Sequence, residues 1–170
     1  CKACASECPS NVDVATLKAE FLYHYQEANG YTLRSKLFAH NTQLNALGSR
    51  VAGITNWMYE SKTIGNFIKK ATGVAPERSL PKVGRYNFKG YLEQYRVKRT
   101  DLSKKQVVLY IDEFVQYLDI QIGKDAIELL CKLGYGVSLF YGESGRTYLS
   151  KGFLKQAKKL VAQNLERLKP

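Results

Sequence analysis

Apolar residues recur at helical spacing as soon as the chain leaves its first proline: Val14, Leu17, Phe21 and Tyr25, with Leu22 broadening the stripe. Asp13 stands at the N-cap position and Gly30 at the stop, so the pattern predicts an amphipathic helix over Val14–Asn29. A second helical stretch runs from near Thr32 to about His40. A third covers roughly Thr42 to Tyr59, with Leu44, Leu47, Val51 and Ile54 at its spacing and Trp57 and Met58 as packing residues. Gly48 and Gly53 weaken that helix or let another element come close. Ser61 or Thr63 caps a short helix through Ile64, Phe67 and Ile68, and Gly73 ends it.

The pattern changes after Gly73. Pro76, Pro81, Gly84 and Gly90 interrupt any long element, leaving a connector with one short helix near Lys89–Tyr95. At Gln106 a different unit begins. Val107 to Ile111 is a continuous apolar run, as in a buried parallel strand. A helix from Ile122 or Gly123 to Leu133 follows, with Ala126, Ile127, Leu129 and Leu130 inward and Gly134 as its stop. Tyr135–Tyr141 is the second strand, Gly142 to Gly145 a loop, and Ser150 the cap of a last helix to Leu168. The expected fold is α/β with a helical N-terminal part: a ferredoxin-type cluster loop and helices, then an open βαβα half-domain. The expected segments are 1–30, 31–105 and 106–170. Ligands of such sheets bind beyond the carboxyl ends of the strands. Those ends carry Asp112, Glu113 and the loop from Gly142 to Arg146.

Composition narrows the class. An apolar share of 45% over 170 residues is that of a globular chain and not a disordered one. No run of about 18 apolar residues occurs, so no membrane-crossing helix is expected. The net charge of +11 is concentrated: between Lys62 and Lys105 twelve Lys and Arg residues stand against Glu77, Glu93 and Asp101. Tyr86, Phe88, Tyr91 and Tyr95 lie among those cations, where aromatics stack on bases in some single-strand binders. The spacing matches neither an RRM signature nor a helix-turn-helix, so a solvated connector or a protein-facing surface is the expectation, and nucleic acid is not an expected partner. His24 is read as a surface residue and not a ligand.

The chemistry sits in the first nine residues, where Cys1, Cys4 and Cys8 with Pro9 spell C-x2-C-x3-C-P. The bacterial ferredoxin run is C-x2-C-x2-C-x3-C-P, and the match is to its last three cysteines and its proline. Cysteines two residues apart in a turning loop reach adjacent iron corners of a cubane. The fourth cysteine of such a run ligates the other cluster of a two-cluster protein. On this reading Cys1 and Cys4 are metal ligands of one 4Fe–4S cluster and Cys8 of a second. The missing cysteine of the run makes the chain an expected piece of a longer protein, with cluster ligands incomplete in the piece. A disulfide, a zinc knuckle or chance spacing are the competing readings. Four cysteines in 170 residues fall short of a disulfide scaffold, and no second knuckle or His pair accompanies them. Cys131, beside Leu129 and Leu130, is read as a packed thiol.

Two regions together resemble one family. The run Cys1 to Pro9 followed by Val12 to Phe21 is similar to the ferredoxin-type segment at the C-terminal iron–sulfur region of FAD-linked oxidoreductases of the D-lactate and glycolate dehydrogenase type. Leu109 to Phe114, then Gly123, Ala126, Leu133 to Tyr135 and Gly145 to Gly152, resemble the first half of the cysteine-rich domain of heterodisulfide reductases and glycolate oxidase iron–sulfur subunits. In that family two adjacent cysteines commonly precede the Gly-Arg pair; Glu143 and Ser144 stand there, and Glu113 stands at an earlier cysteine position. Carboxylates are poor cluster ligands, so no metal is assigned to them.

The resemblance implies an electron-transfer segment of an FAD-dependent 2-hydroxy-acid dehydrogenase or oxidase. FAD would sit in an upstream domain, and a quinone or a protein would be the electron acceptor. No catalytic residue is expected in this piece, which alone would be inactive. An iron–sulfur subunit serving a separate flavoprotein is the alternative, and a basic module binding nucleic acid or an anionic surface is the reading from another class. The expected location is cytoplasmic, with any peripheral membrane contact at the inner face. Lys2 and Lys18 are candidates for positive charge that favours the reduced form of a cluster.

Overall fold

The computed structural model describes residues 6–10, 12–85, 87–94 and 105–169. Ten helices and two strands occur among them: α1 (Val14–Asn29), α2 (Leu33–Ala39), α3 (Asn41–Arg50), α4 (Ala52–Glu60), α5 (Lys62–Thr72), α6 (Phe88–Gln94), β1 (Lys105–Ile111), α7 (Glu113–Tyr117), α8 (Ile120–Lys132), β2 (Tyr135–Tyr141), α9 (Arg146–Ser150) and α10 (Leu154–Leu168). They fall into two compact units, Cys1–Asn41 with Ser144–Pro170, and Thr42–Glu143. These units divide the chain at other places than the segments expected from sequence, because α1 and α10 pack in one unit while the strands belong to the other.

The unit Thr42–Glu143 is built on a parallel pair. β1 and β2 run in register from Lys105 opposite Tyr135 to Ile111 opposite Tyr141, joined through α7 and α8. Phe88, Leu92, Ile111, Ile127 and Val137 form the core, with Val107, Leu130 and Cys131 against it. Burying each large side chain contributes about 1.5–3 kcal/mol. Gly123 lets α8 close on this core: a Cβ there would lie 2.5 Å from Phe88 Cε2 and 2.6 Å from Val115 Cγ1.

β1 differs from the expected fully buried strand. Val107, Leu109 and Ile111 face the core, while Val108 is 64% exposed and Tyr110 tilts against Phe140 at 5.3 Å on the open face. Among the described residues the core packs on the Val107, Leu109 and Ile111 face, and the apolar run does not reveal that. Leu129, expected inward, is exposed, since the core-facing line of α8 runs through Gly123 and Ile127.

The expected helix from Thr42 to Tyr59 is two helices. Val51, at φ −127° and ψ 42°, breaks it, and its N–H donates to the Gly48 carbonyl at 3.2 Å. Thr55 turns back, donating from its hydroxyl to the same carbonyl at 3.1 Å. Leu44, Leu47, Val51, Ile54 and Trp57 are exposed. The last helix starts later than expected: a short helix, α9, ends at Ser150, Gly152 takes φ +72°, and α10 begins at Leu154 and not at Lys151.

In the other unit Ala39, Tyr148, Phe153 and Ala157 form the core, with Tyr31 and Leu160 against it. Gly152 is pressed onto α1: a Cβ on it would lie 2.8 Å from the Leu22 carbonyl carbon and 2.8 Å from the Tyr23 nitrogen.

Candidate functional site

Cys1 and Cys4 lie outside the described residues. Cys8 is a half-buried thiol in the loop that leads into α1. Asp13 fastens that loop to the helix. One carboxylate oxygen accepts from Thr16 N–H at 3.1 Å and the other from the Thr16 hydroxyl at 2.8 Å. A carboxylate at this position satisfies a helix N–H that would otherwise lack a partner, and it suits the positive end of the helix dipole. Among the described residues no group of three His, Cys, Asp or Glu side chains is arranged to hold a metal. Of the three cysteines of the run, Cys8 is the described one. A partly exposed thiol on a short turn is chemically suited to thiolate ligation of iron.

The helix carrying this loop is held from one side. Ala15, Ala19 and Leu22 are half-buried and Gln26 is buried. Gln26 Nε2 donates to the Lys151 carbonyl at 2.7 Å, and its Oε1 is buried without a hydrogen-bond partner. Lys155 donates to Glu27 at 2.7 Å, and the Tyr31 hydroxyl donates to the other Glu27 oxygen at 3.0 Å. The Lys155 ammonium, then Tyr31, hold the Glu27 carboxyl below its ordinary value; Glu27 in turn raises Lys155. Burial, then Glu27, pushes the Tyr31 phenol up. A cleft of about 340 Å³ lies under the start of α1, lined by Ala15, Ala19, Glu20, Arg146 and Leu149.

On the opposite side of α1 the large apolar side chains are exposed. Leu17, Phe21 and Tyr25, the stripe expected to pack, are 60%, 66% and 52% exposed, and Phe21 and Tyr25 stack at 6.0 Å. His24 is exposed and lies 3.9 Å from Glu20, in keeping with a surface role.

At the carboxyl ends of the strands, Asp112 caps α7 by accepting from Phe114 and Val115 N–H at 3.1 and 3.0 Å. Glu113 is 1% exposed. Glu143 accepts from the Thr42 hydroxyl at 2.8 Å, and its carbonyl from the Tyr110 hydroxyl at 3.0 Å. Burial raises the Tyr117 phenol; Arg50 opposes the shift and Glu143 adds to it. Ser144 Oγ accepts from the Arg146 backbone N–H at 3.3 Å and from its Nε at 3.2 Å. Of the positions read as cysteines in the resembled family, Glu143 and Ser144 serve here in hydrogen bonds and Glu113 is buried. Sequence reasoning missed α7, although an Asp directly after a strand was a usable signal for a cap.

The basic middle stretch loses part of its base-stacking pattern. Phe88 is wholly buried in the core and Tyr91 packs against it. Tyr86, Tyr95 and the cations from Arg96 to Lys104 lie outside the described residues. Lys82 pairs with Glu60 at 2.6 Å, and Lys69 donates to the Pro76 carbonyl at 2.9 Å. No described helix is long and apolar enough to cross a membrane.

The chain is 27% identical to a D-2-hydroxyglutarate dehydrogenase of Escherichia coli over an alignment that covers 99% of this chain and 17% of that protein. It is 26% identical to the D-2-hydroxyglutarate dehydrogenase of Pseudomonas putida, over 99% of this chain and 18% of the relative. It is 28% identical to one subunit of the anaerobic glycerol-3-phosphate dehydrogenase of Escherichia coli, over 81% of this chain and 35% of the relative. The chain thus spans about a sixth to a third of the length of these relatives. The relatives are dehydrogenases or part of one, an oxidoreductase context. No family model matches the chain, and no solved structure does.

Proposed function

We propose that this chain is an iron–sulfur electron-transfer segment of an FAD-dependent dehydrogenase acting on a 2-hydroxy acid. The observation that carries this reading is the similarity of 99% of the chain to D-2-hydroxyglutarate dehydrogenases, on a sequence that opens with the ferredoxin-type spacing of Cys1, Cys4 and Cys8. When bound, 4Fe–4S clusters supply one-electron redox capacity, and FAD elsewhere in the complete protein supplies two-electron chemistry. Cys1 and Cys4 would hold one cluster and Cys8 the other. Asp13 fixes the loop bearing Cys8 to α1, and the turn at Gly152 with Gln26 fixes α1 to its unit. In this reading the α/β pair is a scaffold: Glu113 and Glu143 replace thiolates by carboxylates, and Glu143 is engaged in hydrogen bonds.

The test is anaerobic stopped-flow mixing of the complete protein with D-2-hydroxyglutarate, D-lactate or glycolate. One of these should bleach the flavin band and then the broad cluster absorbance. Cys8→Ser should keep the first phase and slow delivery to an external acceptor. A complete protein whose flavin and cluster bands respond to none of these acids contradicts the reading. A second arrangement, an iron–sulfur protein that receives electrons from a separate flavoprotein, is favoured by the match to a single subunit of the anaerobic glycerol-3-phosphate dehydrogenase. It requires the purified complete protein to carry clusters without flavin.

A further inference from the structure

At the break between α3 and α4 lies a cleft of about 610 Å³ whose lining includes Arg50, Val51, Gly53, Ile54 and Arg85. It falls within the single unit Thr42–Glu143. Its volume is that of a small-molecule site, about 300–1,000 Å³. No carboxylate is among the described residues that line it. Glu143 and Arg50 act in opposite directions on the Tyr117 phenol, and Glu143 accepts from the Thr42 hydroxyl at 2.8 Å. Glu60, at the end of α4, pairs with Lys82 at 2.6 Å.

Both arginines stand on fastened backbone. Thr55 donates from its hydroxyl to the Gly48 carbonyl at 3.1 Å, and its methyl lies 3.3 Å from where a Cβ on Gly48 would stand. That contact holds the end of α3, with Arg50, against α4. Asn56 clips the chain before Arg85 onto α4: its Nδ2 donates to the Val83 carbonyl at 2.9 Å, and its Oδ1 accepts from the Val83 N–H at 2.8 Å. Gly84 N–H donates to the Tyr117 carbonyl at 2.7 Å, which ties the same chain to α7. Two guanidiniums from segments far apart in sequence therefore reach one space.

A guanidinium is a planar fork that matches a carboxylate or a phosphate with two parallel hydrogen bonds. Two of them suit two negative charges. Val51 and Ile54, both exposed, give the cleft an apolar wall that a bare inorganic ion leaves unused. The start of α4 adds to the site without carrying it: no side chain caps the helix, and a Cβ on Gly53 would meet nothing within 4 Å.

We propose that this cleft binds a small organic dianion, a phosphate monoester or a dicarboxylate, with Arg50 and Arg85 on its charged groups and Val51 and Ile54 against its carbon frame. The site does not rest on the electron-transfer reading.

The test is calorimetric titration of the complete protein with phenyl phosphate, succinate and inorganic phosphate. At least one organic probe should bind several-fold tighter than inorganic phosphate, and which one it is tells the two sources apart. Its affinity should fall as salt rises from about 20 to about 200 mM. Arg50→Gln and Arg85→Gln, both at exposed positions, should each weaken that binding about tenfold or more. Gly53→Asp separates binding from stability. Its side chain has room and its carboxylate suits the first turn of α4, so the melting temperature should hold or rise while binding is lost. Circular dichroism verifies that the variants fold. Three results overturn the proposal: no binding of either organic probe, unchanged affinity in any of these variants, or inorganic phosphate bound as tightly as both organic probes, which would mean an adventitious ion only. Protein that carries clusters and fails these titrations keeps the electron-transfer reading and loses the dianion site; iron-free protein that passes them does the reverse.

Discussion

Helices α8 and α1 carry apolar stripes of the same kind. In α8, Gly123 and Ile127 are buried against Phe88 and Val137. In α1, Leu17, Phe21 and Tyr25 face outward, and the side that packs is made of Ala15, Ala19, Leu22 and Gln26. The difference lies in what neighbours each helix. α8 joins two paired strands whose inner face needs a cover. α1 is fixed by small residues and by hydrogen bonds to the 151–155 turn, which leaves its largest side chains outside. A contiguous exposed apolar face marks an interaction surface more often than an accident of packing. One stripe holds the fold and the other lies exposed among the described residues.

The sharpest way to break this contrast is to cut on the α8 side. Phe88→Ala removes a wholly buried ring and should destabilise its unit by about 3–5 kcal/mol, read as a shift of the denaturant midpoint. Next is the clamp on α1. Gly152→Ala places a Cβ against the Leu22 backbone at a positive φ, and should cost about 1–3 kcal/mol and speed amide exchange in α1. Gln26→Ala leaves the Lys151 carbonyl without its donor and should cost about 1–3 kcal/mol. Phe21→Ser on the bare side should change stability by no more than about 0.5 kcal/mol in the same assay.

The smallest effect is that of pH. Glu27 has its folded pKa lowered from 4.5, so its contribution is present above about pH 4.5 and is lost as pH falls through the lowered value. Lys155 is raised from 10.5, so its contribution is present below about 10.5 and is lost as pH climbs past the raised value. The pair should leave melting temperature flat between those limits. Lys155→Met should reduce the acid-side loss slightly, because the pair is solvent-exposed.

Much of the element order was legible from caps and stops. Asp13, Thr32 and Ser61 accept from the backbone N–H groups of Thr16, Ser35 and Ile64, and Gly73 ends α5 in the left-handed conformation that glycine adopts without strain. These signals are local, so a single sequence carries them. Burial of a stripe was not legible, because it depends on residues far away in the chain. Leu17, Phe21, Leu47 and Ile54 have the spacing of core residues and are exposed, whereas Gln26 and Glu113 are buried. The break at Val51 was hidden for the same reason, since Thr55 folds back on Gly48 only in the finished structure. Of the candidate ligands, Cys8 is a half-buried thiol next to α1, while Cys1 and Cys4 lie outside the described residues.

The most direct measurement is the iron and acid-labile sulfide content of the complete protein purified without oxygen, with EPR after reduction. Two interacting cubane clusters, about eight irons per chain, are expected, with Cys4→Ser and Cys8→Ser each disturbing a different cluster. Absence of iron and sulfide in an anaerobic preparation would contradict the assignment of Cys1, Cys4 and Cys8 as ligands and the electron-transfer function built on it.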